Sequence, residues 1–141
     1  MKKIFALGAL ALLSFVTLAN AGVKTEEIVY SHNGTKLTGY LAFDDSIQEK
    51  RPGVLVVHEW WGHNEHARNR AKMLAEAGYT ALALDMYGDG KLANHPKKAG
   101  EFMNATFSDW LGSQARYNTA MEVLKAHKTV DATRIGSIGF C

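Results

Sequence analysis

The sequence holds one cysteine and two prolines. Past Ala21 it has no apolar run long enough to cross a bilayer. A lone cysteine excludes a disulfide within the chain. Its thiol is an inert buried group, an intermolecular bridge or a reactive centre. Excess charge of one sign is also missing. Without Lys2 and Lys3 the sixteen basic residues fall to fourteen, which equals the fourteen acidic ones, and no basic cluster remains. That argues against nucleic acid or an anionic membrane surface as a partner. Low-complexity tracts are absent, and 47% of residues are hydrophobic, so the chain is globular and not disordered. A phosphate loop is lacking too: Gly88-Asp89-Gly90 does not have the spacing of a dinucleotide fingerprint. Nothing calls for a cofactor, and nothing fixes an oligomeric state.

The first residues read as targeting information. Lys2 and Lys3 precede an apolar run from Ile4 to Leu18, and Ala19-Asn20-Ala21 is a small-x-small cleavage site. This is the pattern of a secretory signal peptide over residues 1–21, cut after Ala21. A membrane anchor is the competing reading, but the run is short for a span. The expectation is a periplasmic or secreted protein that starts at Gly22 and has no membrane attachment after cleavage.

Residues 22–141 read as one domain. Glu26 to Tyr30 and Lys36 to Phe43 are strands, joined by Ser31-His32-Asn33-Gly34, where Asn-Gly supplies the positive φ angles of a tight hairpin. After a polar loop closed by Pro52, Gly53-Val54-Leu55-Val56-Val57 is a continuous apolar run, typical of a strand buried on both faces of a parallel sheet. Asn64 is placed to cap a helix carrying Ala67, Ala71, Leu74 and Ala75 on one face, which Gly78 ends. Thr80 to Asp85 is the next strand. Pro96 to Phe107 is helical. A longer helix capped by Asp109 carries Trp110, Leu111, Tyr117, Met121 and Leu124 along one stripe. Ile135 to Phe140 reads as a last, central strand buried on both faces. A hairpin followed by β-α-β-α-β implies an α/β three-layer sandwich with a mainly parallel sheet and right-handed crossovers. Domains of this architecture often need roughly 200–250 residues, so about a hundred further residues are expected to complete this one.

Chemistry in open α/β sheets collects beyond the carboxyl ends of the strands. Cys141 stands there, after Gly136-Ser137-Ile138-Gly139-Phe140, in what reads as the first half of a nucleophile elbow. A helix following it would lower the thiol pKa; the rival reading is a small buried hydrophobe. His58-Glu59-Trp60-Trp61-Gly62-His63 lies beyond another strand on the same edge. A carboxylate there needs a partner, so Glu59 either handles a proton near the thiol or pairs with an arginine or backbone amide in a structural loop. The Trp60 N–H is a candidate oxyanion donor. Trp61 and Tyr87 line a substrate pocket or cover the core. His58 and His63 imitate a zinc motif, but their five-residue spacing puts them about 140° apart on a helix. His66 reads as a solvated side chain. Lys91, Lys97 and Lys98 read as a solvated basic stretch or as a contact for an anionic substrate.

Three blocks together resemble the dienelactone hydrolase family, a cysteine-nucleophile branch of the α/β-hydrolases. They are Gly53 to Gly62; Ala77-Gly78-Tyr79 through Asp85-Met86-Tyr87-Gly88; and Gly136 to Cys141. The resemblance covers roughly Val23 to Cys141. It implies a Cys-Asp-His triad with Cys141 as nucleophile and Glu59 holding the resting thiol. It also implies an oxyanion hole from the Trp60 N–H and the N–H after the cysteine. The implied substrates are small esters or lactones. The triad Asp and His are expected after Cys141 in chain order, so Asp85, Asp89, His95 and His127 do not fill those roles, and residues 22–141 alone are expected to be nearly inactive. A carboxylate-binding arginine of aromatic-degrading members has no matching position, with Lys97, Lys98 and Arg116 only loosely placed. Two alternatives remain open: a non-catalytic binding protein on the same scaffold, and a zinc hydrolase using His58 and His63.

Overall fold

The computed structural model describes residues 22–141, and the signal-peptide reading of residues 1–21 lies outside them. In chain order the elements are β1 (Val23–His32), β2 (Thr35–Asp44), β3 (Arg51–Val57), α1 (Glu65–Glu76), β4 (Thr80–Ala83), α2 (Pro96–Ser108), α3 (Trp110–Ala126) and β5 (Val130–Gly139). The five strands form one sheet in the order β1-β2-β4-β3-β5. The β1–β2 hairpin turns at Asn33 and Gly34, both at positive φ, and β2 also runs antiparallel to β4. The pairs β3–β4 and β3–β5 are parallel. The fold is the expected α/β architecture with a mixed sheet.

Strand alternation sorts the core into two layers. Tyr40, Ala42, Val56, Ala81 and Ala83 face one side, where α1 seats Ala67, Ala71 and Ala75. Their neighbours Leu41, Phe43, Leu55, Leu82 and Leu84 face the other side, where α3 brings Ala120 and Leu124. Small residues on α1 let it lie close to the sheet. On the opposite face Gly53 makes the same allowance for α3, since a Cβ there would meet Leu124 Cδ2 at 3.2 Å and Ile135 Cδ1 at 2.9 Å. The Asn64 side chain accepts from the Ala67 N–H and caps α1.

Two expectations need correction. First, β5 is longer than expected, beginning at Val130, and it is the last strand of the described sheet. One row of the register runs Leu41, Leu82, Leu55, Ser137. Second, the stripe on α3 begins later than expected. Trp110 is 57% exposed and Leu111 78%, whereas Ser113, Ala120 and Leu124 are buried. The chain breaks helical geometry at Asp109 (φ −110°, ψ 63°), whose side chain accepts from the Gly112 N–H. The first turn of α3 therefore projects beyond the core. Among the described residues no helix is long and apolar enough to cross a membrane.

Candidate active site

The parallel pairing of β3 with β5 puts Val57 opposite Gly139. Glu59 and Cys141 each stand two residues beyond that pair, so the carboxylate and the thiol leave adjacent strand tips on one edge. Neighbouring strands lie roughly 5 Å apart. Both residues line a cavity of about 630 Å³, with His58, Trp60, Met86, Tyr87 and, from α2 and α3, Met103, Phe107 and Trp110 among its other walls.

Cys141 is exposed and has φ +70°, a left-handed backbone that non-glycine residues rarely adopt. Phe140, just before it, is held by α1: the His66 ring meets it edge-on at 5.1 Å and the Arg70 guanidinium lies 5.3 Å from its centroid. His66 is thus a packing residue, and the expectation of a solvated side chain is corrected. Its Nε2 is buried without a hydrogen-bond partner.

The loop after β3 is built from its own polar groups. His58 is 7% exposed. Its Nε2 accepts from the Met86 N–H at 3.2 Å, which leaves Nδ1 as the donor to the Glu59 carbonyl at 2.6 Å. Burial pushes this imidazole below its ordinary pKa, which favours the neutral ring that the pattern requires. The Gly62 N–H also donates to the Glu59 carbonyl, at 3.1 Å, closing a turn. Gly62 sits at φ +90°, where a Cβ would run into the Lys91 carbonyl. The Tyr87 hydroxyl donates to the Trp60 carbonyl at 3.0 Å. The Glu59 carboxylate pairs with no arginine, lysine or backbone amide among the described residues.

Asp85 locks the facing loop. It is fully buried and accepts from the N–H groups of Thr38, Tyr87, Gly88 and Gly90 at 2.8–3.2 Å. Sequence reading placed Asp85 only at a strand end; its role is to hold Met86 to Gly90 against β2. Arg116 serves the same loop, donating to the carbonyls of Met86 at 2.9 Å and Tyr87 at 3.4 Å. Trp61 is not among the cavity-lining residues. It packs on Trp60, with ring centroids 5.1 Å apart, and its carbonyl accepts from the Ala93 N–H. Trp110, assigned from the sequence to a core stripe, instead joins the cavity wall with Met103 and Phe107. The helical periodicity carried no sign of this, because it gives the face on which a residue lies and not where along the helix the core ends.

A zinc site does not fit His58 and His63. Both His58 ring nitrogens are engaged, and the nearly inaccessible His63 packs near the Tyr40 ring. No group of three or more His, Cys, Asp or Glu residues converges among the described residues.

The sequence model of the dienelactone hydrolase family matches residues 37–141, which takes in both strand tips and the whole cavity. The chain belongs to the dienelactone hydrolase family. Protein usf of Aquifex pyrophilus is 31% identical over 118 residues, 81% of this chain and 49% of that protein. Two solved structures superpose on 85% of this chain and 50% of theirs with TM-scores of 0.81. One, m3DLH, is 40% identical; the other, a dienelactone hydrolase-like promiscuous phosphotriesterase from metagenomic libraries, is 31% identical. The chain spans about half the length of the family relatives it matches.

Proposed function

We propose that the whole protein hydrolyses small carboxylic esters or lactones with Cys141 as nucleophile. The observation that carries this reading is the β3–β5 register, which sets Glu59 and Cys141 on adjacent strand tips at one cavity. Membership of the dienelactone hydrolase family supports it. In the proposed reaction Glu59 takes the thiol proton, and the thiolate attacks the substrate carbonyl. A sulfur–carbon bond forms as the carbonyl electrons move to oxygen. The Trp60 N–H stabilises that oxyanion. Collapse expels the alcohol oxygen, which takes up the proton that Glu59 received, and water then cleaves the thioester, its hydroxyl going to the acyl carbon and its proton to the sulfur, to give the acid and restore the thiol.

His58 is the one imidazole on the cavity wall among the described residues, and its nitrogens are occupied. The Asp and His of the triad are therefore proposed to come from outside residues 22–141, which alone should turn over little substrate. Trp61 is proposed to support Trp60, and Tyr87 to shape the pocket. Export is part of the proposal, supported by Lys2, Lys3 and Ala19-Asn20-Ala21. N-terminal sequencing of the secreted protein should begin at Gly22.

The test is aryl-acetate hydrolysis by the whole protein. Cys141→Ala should reduce it about 10³-fold or more, and mass spectrometry of the unmodified protein should find the acyl group on Cys141. Undiminished turnover in that variant would remove the nucleophile. Absence of turnover in the parent, with thiol reagents leaving ligand binding unchanged, would favour a binding protein on this scaffold.

A further inference from the structure

We infer that His58 is a positioning residue for the oxyanion donor, acting through the peptide that joins Glu59 to Trp60. The inference rests on the reading of Trp60 given above. That peptide contributes two groups to different tasks: its carbonyl is Glu59 O and its N–H is Trp60 N. A trans peptide points them in opposite directions, so whatever fixes the carbonyl aims the N–H. Here His58 Nδ1 holds the carbonyl at 2.6 Å and Gly62 N at 3.1 Å. The Trp60 N–H donates to no protein group among the described residues.

His58 is itself held from three sides. Met86 N donates to Nε2 from the loop that Asp85 locks, the Tyr87 ring meets the imidazole edge-on with centroids 4.8 Å apart, and little solvent reaches it. The ring is thus a rigid link between the β4 loop and the peptide in question. A hydrogen bond accepted by the carbonyl also polarises the peptide and strengthens its N–H as a donor.

Three substitutions in the whole protein separate this role from packing. His58→Asn retains a donor near the Nδ1 position, His58→Gln retains an acceptor near Nε2, and His58→Leu retains neither. Loss of an oxyanion donor lowers kcat by about 10²–10³-fold, and misaiming one should reach at least about tenfold. His58→Leu and His58→Gln should therefore lower kcat about tenfold or more with KM nearly unchanged, while His58→Asn stays within about threefold of the parent. The rate of Cys141 alkylation by iodoacetamide should change little in all three. Equal kcat losses in His58→Asn and His58→Leu, tracking their melting temperatures, would overturn the inference, as would parental kcat in all three variants. Turnover that survives Cys141→Ala marks a different failure, that of the nucleophile reading on which this one stands.

Discussion

The two walls of the cavity are built on opposite plans. The wall from β3 and β4 is tied by directed bonds: Asp85 to four amides, His58 to two backbone groups, Tyr87 to the Trp60 carbonyl, Arg116 to two more carbonyls. The wall from α2 and α3 is largely apolar and open, with Phe107 and Trp110 both more than half exposed. Directed bonds fix positions closely, which the proposed oxyanion donor would demand. Apolar contact fixes volume and little else, which suits a surface that accepts the variable part of a substrate.

Removing Asp85 tests the contrast most severely. Asp85→Ala would leave four amides, two of them buried and two partly buried, without their acceptor. It should lower unfolding stability by about 4 kcal/mol, read from the urea midpoint. A loss under about 1 kcal/mol would mean that the polar wall is not the firmer one.

Acid probes the loop after β3 at His63, away from the cavity. Burial, with the Arg68 guanidinium and His58 close by, pushes its imidazole down to about 4 from the ordinary 6.5. A base whose folded pKa is depressed takes up its proton first in the unfolded chain. The stability is fully present above pH 6.5, falls as pH drops from about 6.5 to about 4, and then levels off. The full drop is about 3 kcal/mol. Denaturant melts at steps across that window should show the fall, and His63→Phe should reduce it, leaving the part that the buried His58 contributes.

The apolar wall should respond in affinity more than in stability. Trp110→Ala should raise KM for aryl esters severalfold and shift the urea midpoint by less than about 1 kcal/mol, because more than half of the ring is already in water. Leu111→Ser should leave stability within about 0.5 kcal/mol of the parent and reduce binding of a hydrophobic dye. At the far end of α3 the exposed Glu122–Lys125 pair at 2.9 Å sets the floor. Glu122→Ala should change stability by no more than about 0.5 kcal/mol.

Much of this was legible in the residues. Asn33-Gly34 announced the hairpin, the apolar run from Gly53 to Val57 a strand with helices on both faces, and Asn64 the start of α1. The near-continuous apolar pattern is a direct readout of double-sided burial, so the α/β layering could be read without coordinates. Position within the sheet could not. β4 lies between β2 and β3, and β5 on the far side of β3, an order that no local pattern contains. The exposed start of α3 was hidden for a related reason: periodicity gives the face a residue lies on, not how far along the helix the core extends.

Composition and local pattern by themselves determined the element types, their order and the residues able to do chemistry, because each depends on neighbours along the chain. Tertiary structure alone decided which of those residues meet. Val57 and Gly139 are more than eighty positions apart, and only parallel pairing makes them neighbours, bringing the thiol and the carboxylate to one edge. His58 likewise acquired its place from a partner, the Met86 amide, twenty-eight residues away. Such long-range bonds are set by strand register and loop closure, which no window along the sequence contains.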